Sequence, residues 1–72
     1  MNNTTKQATE KALSDFRKLL TLDKYKECVR YGNIEGVIDL EGSLTIRIMS
    51  IYGKNFLFIL LAGEVIDYYE LQ

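Results

Sequence analysis

The stretch Leu44 to Leu71, LTIRIMSIYGKNFLFILLAGEVIDYYEL, leaves this chain few choices of fold. β-Branched and aromatic residues crowd it, and its apolar runs break at Gly53-Lys54 and Gly63-Glu64 after lengths that suit strands better than helices. A glycine opening a two-residue loop supplies the positive φ of a tight hairpin, so a hairpin is expected at each break. Asn55 to Ala62 is then a central strand. It does not alternate: Phe56, Phe58 and Leu60 point one way, and Leu57, Ile59 and Leu61 point the other. Both faces of the sheet are therefore covered there, or one is uncovered and apolar.

Ahead of the sheet, Thr4 and Gln7 have the spacing of a capping box, with Met1 to Asn3 frayed before it. From that cap, Ala8, Ala12, Leu13, Phe16, Leu19 and Leu20 fall within roughly 140° of arc at ~100° per residue, with Glu10, Lys11, Ser14, Arg17 and Lys18 outside it. The pattern predicts a helix over residues 4–21 with one buried face, its basic end suited to the helix dipole. Thr21 to Lys24 reads as the connection out, with a second short helix toward Val29 as the alternative. A strand from Tyr25 to Tyr31 is preferred, because a Gly32-Asn33 loop would set Arg30 against Glu35 and Lys26 against Asp39. Ile34 to Leu40 follows as the next strand. A three-residue loop, Glu41-Gly42-Ser43, should end it, since a two-residue loop would turn Glu35 and Asp39 into the core.

The fold class is thus α+β: one domain over residues 1–72, with an N-terminal helix packed on a four- to five-stranded antiparallel meander spanning 25–71. Short hairpins make sequence neighbours into sheet neighbours. These registers put the helix over a core face built on Ile38, Ile46, Ile48, Leu57, Ile59 and Leu61. Met49, Ile51, Phe56, Phe58, Leu60, Tyr69 and Leu71 then form an apolar patch on the outer face, the kind of surface proteins use to bind one another. The expected function is protein–protein interaction through that patch, as a regulator or adaptor. Its simplest form is a homodimer, joined through the Phe58 face or along the edge strand Val65 to Leu71. Arg47 is expected to be an ion-pair partner of Glu35 and Asp39.

Catalysis finds little support. The chain has no histidine and one cysteine, Cys28, which excludes an internal disulfide and a zinc site of several Cys or His ligands. Cys28 is expected on a strand beside Val37 with no base near it, and no glycine-rich phosphate cradle occurs. We assign no catalytic residue, metal, cofactor or small-molecule substrate and expect no enzyme. The N-terminus is polar, and the run Phe56 to Ala62 falls far short of the ~20 apolar residues of a membrane span, so a cytoplasmic protein is expected. Net charge is −1, but residues 1–30 hold seven Lys/Arg against four Asp/Glu, and residues 31–72 hold two against six. That asymmetry supports one other function. Arg17, Lys18, Lys24, Lys26 and Arg30, near Tyr25 and Tyr31, have the composition of a single-stranded nucleic-acid track.

Overall fold

The computed structural model describes residues 3–72, with side chains from Thr5 onward. One helix, α1, runs from Asn3 to Tyr31 and is followed by β1 (Asn33–Asp39), β2 (Leu44–Ile51), β3 (Lys54–Leu61) and β4 (Glu64–Leu71). The strands form a single antiparallel sheet in the order β1-β2-β3-β4, so the helix-plus-meander architecture read from the sequence is the one observed. The first strand expected at Tyr25 to Tyr31 is instead the C-terminal part of α1. Asn3, expected to be frayed, and Thr4, expected to cap, both stand inside the helix, and the fraying expected of Met1 and Asn2 falls outside the described residues.

The helix is continuous but changes its apolar side partway along. Residues 5–20 are all exposed, whereas Thr21 and Cys28 are buried and Tyr25 is half-buried. At ~100° per residue, the arc from Ala8 to Leu20 and the Thr21–Tyr25–Cys28 face point about 150° apart. Thr21 sits in the helix without an orphaned hydroxyl, because its Oγ1 donates to the Arg17 carbonyl at 2.8 Å. The helix ends where the Gly32 N–H donates to the Cys28 carbonyl at 2.8 Å. A Cβ at Gly32 would stand 2.2 Å from the Ser50 carbonyl oxygen, so only glycine lets α1 close on β2.

Turn chemistry sets the registers. The β1–β2 loop keeps Leu40 opposite Leu44, with the Leu40 N–H donating to the Leu44 carbonyl at 2.7 Å, as the three-residue loop requires. The other two hairpins turn one residue earlier than expected. Ile51 pairs with Lys54 and Leu61 with Glu64, which leaves Tyr52-Gly53 and Ala62-Gly63 as the loops. All four loop residues have positive φ, the signature of a type I′ turn, with glycine second. A bulge opposite Ile59/Leu60 then shifts β4, so that Tyr68 lies opposite Phe58 in place of Tyr69.

α1 runs across the sheet from β2, where Gly32 meets Ser50 and Ile51, to β4, where Arg17 meets Asp67. Beneath it lie Met49, Ile51, Phe56, Phe58 and Leu60 together with Cys28, and Tyr25, Val65 and Tyr68 close the margins. Phe58 is 0% exposed and holds the centre. Tyr25 meets it edge-on at 5.1 Å between centroids, and Tyr68 stacks on it at 5.8 Å. The expected assignment of the faces is therefore reversed: the helix covers the Phe58 side, and the side built on Ile46 and Ile59 has no element over it. The central strand is apolar in both parities, so its sequence offers the helix two equivalent faces. The long α1 decides between them, because Tyr25 and Cys28 enter from the helix and not from a strand.

Candidate functional site

Five of the seven residues expected at a partner-binding patch, Met49, Ile51, Phe56, Phe58 and Leu60, are core side chains under α1. Tyr69 and Leu71 are exposed on β4, and the register brings Tyr69 beside Leu57 and Leu71 beside Asn55. They therefore belong with the other side of the sheet. On that side Ile38 lies opposite Ile46, Ile46 opposite Ile59, Ile48 opposite Leu57, and Leu44 opposite Leu61. These pairs make one unbroken apolar surface across β1, β2 and β3. Ile38 and Leu61 are 49% and 46% exposed, while Leu44, Ile46, Ile48, Leu57 and Ile59 between them are half-buried. No cation falls among them. Polar groups stand at the margin: the Ser50 hydroxyl donates to the Glu35 carboxylate at 2.6 Å, and Glu64 and Asp67 lie along β4.

The sheet edges are treated differently from the face. At β4, the Arg17 Nε donates to the Asp67 carboxylate at 3.0 Å, its Nη2 donates to the Tyr68 carbonyl, and its guanidinium lies 4.5 Å from the Tyr68 ring centroid. One side chain thus anchors the helix and takes an edge carbonyl that a second strand would need. Partial burial pushes the Asp67 carboxyl up, but the Tyr68 N–H, the Tyr69 hydroxyl and Arg17 together outweigh it and hold its pKa below the usual carboxylate range. The Tyr69 hydroxyl, donating to Asp67 at 2.9 Å, is pushed up in turn. β1 carries its own bulge between Ile34 and Gly36. Arg17 thus occupies part of the β4 edge, and the face around Ile46 and Ile59 has no element over it.

Arg47 does not meet Glu35 or Asp39. It lies on the helix side, where its Nη1 donates to the Tyr25 hydroxyl and its Nε is buried without a partner. Cys28 is a free, buried thiol on α1, not a strand residue beside Val37, and burial pushes its pKa up, away from the thiolate a nucleophile needs.

The five basic residues of the nucleic-acid alternative are not gathered into a track. Arg17 is held by Asp67, and Lys24 donates to Glu27 at 3.1 Å, a contact that raises its pKa. Arg30 lies over the Tyr31 ring. Lys18, Lys26 and Arg30 fall on other sides of α1 from Arg17 and Lys24, at ~100° of turn per residue. Among the described residues no group of three or more His, Cys, Asp or Glu side chains is placed to hold a metal, and no helix is long and apolar enough to cross a membrane. No protein-family model, curated protein or solved structure matches the chain.

Proposed function

We propose that this chain is a non-catalytic protein-interaction module that binds through its open sheet face, most simply against the same face of a second copy. The observation that carries the reading is the continuous apolar surface of Ile38, Leu44, Ile46, Ile48, Leu57, Ile59 and Leu61, left uncovered while the helix is spent on the other side. Contiguous apolar area of this kind is rare on proteins that use it for nothing. Four strands ~4.8 Å apart and about eight residues long give a face of roughly 500 Å². Two such faces bury about 1,000 Å², at the lower bound for a specific interface. A chain of 72 residues buries only ~60% of its unfolded surface, and self-association adds what a small core lacks. A reducing compartment, the cytoplasm, suits the single free thiol.

Methyl NMR on an equal mixture of isotope-labelled and unlabelled chains tests this directly. Intermolecular contacts should arise from the methyls of Ile46, Ile48, Leu57 and Ile59. A mixture giving none from these residues at millimolar concentration would refute the reading.

A further inference from the structure

The N-terminal half of α1 is the second unpartnered apolar element. A helix of 29 residues is ~43 Å long, close to the 46 Å maximum extent of the molecule, and Arg17, near its middle, ties it to the β4 edge. The preceding residues extend beyond the β4 edge. Leu13 is 64% exposed there and Phe16 59%, although an isolated surface helix keeps such side chains in a core.

The exposed side chains are spaced as a helix-pairing seam. Lys6, Thr9, Leu13, Phe16, Leu20 and Asp23 follow one another at intervals of three and four, the a/d pattern of two helices packed along their length. The seam points roughly 110° away from the Thr21–Cys28 face, so the helix's own sheet does not occupy it. Its C-terminal end opens on a groove of about 170 Å³ lined by Leu20, Asp23, Lys24, Glu27 and Tyr68.

We propose that α1 pairs antiparallel with α1 of a second copy along this seam. The occupant follows from self-complementarity about a point between Ser14 and Asp15. Leu13 meets Phe16 of the second copy, Thr9 meets Leu20, and Lys6 meets Asp23, so each cation faces an anion and each contact occurs twice about a two-fold axis. In the parallel arrangement Lys6 would meet Lys6, and Asp23 would meet Asp23. The axis runs between the helices and across the seam, which leaves both sheets on the same side of the pair with their open faces pointing the same way. The inference rests on the self-association reading above but uses a different surface. Together the two contacts close four chains, each helix pair offering a doubled face to another such pair.

Sedimentation equilibrium on the full chain separates the two surfaces. The wild type should sediment as four chains. Leu13→Lys with Phe16→Lys, both at exposed sites, should halve that mass with circular dichroism unchanged. Ile46→Lys with Ile59→Lys should also halve it by removing the face contact. Lys6→Glu should weaken the helix contact about tenfold, and adding Asp23→Lys should restore it. A wild-type monomer at every concentration, or helix variants that keep the wild-type mass, would overturn the helix pair. If the face variants keep the wild-type mass while the helix variants become monomers, the helix pair stands and the face reading fails.

Discussion

Replacing Phe58 with alanine distinguishes the two faces energetically. The side chain is fully buried, with Tyr25 edge-on at 5.1 Å, Tyr68 stacked at 5.8 Å and Phe56 at 6.4 Å. Emptying such a site costs about 3–5 kcal/mol through lost transfer energy and the cavity left behind. Loss of the aromatic pairs adds to the upper part of that range. A chain of 72 residues has a total stability of only roughly 4–11 kcal/mol, so the variant should lose about a quarter of it or more. With a urea dependence of ~1 kcal/mol/M, the midpoint should fall by about 3–5 M. Ile59→Ala, on the same strand but the opposite face, is the control. Its side chain is only half-buried, so in dilute samples its loss should stay near ~1–2 kcal/mol. Urea titrations followed by far-ultraviolet circular dichroism give both numbers. If Phe58→Ala cost less than Ile59→Ala, the core would lie on the Ile59 side of the sheet and the assignment of the two faces would be wrong.

Two further outcomes follow from the geometry. Gly32→Ala places a Cβ against the Ser50 carbonyl, a backbone atom that cannot swing aside, and should cost about 2–3 kcal/mol in the same titration, whereas Gly36→Ala, with open space around it, should not clash. The folded pKa of Asp67 lies below its unfolded value, so its contribution is fully present above the ordinary carboxylate range and is lost as pH falls through the folded pKa. The pair is partly exposed, so the contribution is only about 0.5 kcal/mol. Asp67→Asn should remove that much at neutral pH and flatten the acid limb of a stability–pH profile.

Much of the fold is legible in the sequence because Leu44 to Leu71 permits little but strands, and short loops leave the meander as the simplest topology. The β1–β2 register is legible, but not through the cost of burying Asp39 and Glu35: with the faces reversed, Asp39 lies opposite Thr45 on the helix side and stays exposed at the strand end. The end of α1 is not legible in the same way. Its apolar side swings by about 150° near Thr21, and a single-phase reading takes that change for a terminus. The opposite charges of Arg30 and Glu35, and of Lys26 and Asp39, fit a hairpin equally well. The hairpin loops are misplaced because Tyr52 and Ala62 adopt positive φ, a conformation that the usual Asn-Gly signal would have announced. The choice of face cannot be read from β3, where both parities are apolar. It depends on Tyr25, Cys28 and the one-residue shift in β4, each a consequence of those two earlier points. Leu13, Phe16 and Leu20 are legible as apolar, but only the fold reveals that their own sheet leaves them uncovered.

The most direct test of the open face as the binding surface is the solution mass of the full chain by light scattering on a sizing column, across a wide concentration range. The wild type should associate, and Ile46→Lys with Ile59→Lys should halve its mass while circular dichroism and the buried Phe58 cluster stay unchanged. If the double variant kept the wild-type mass, the open sheet face would not be where this chain meets its partner.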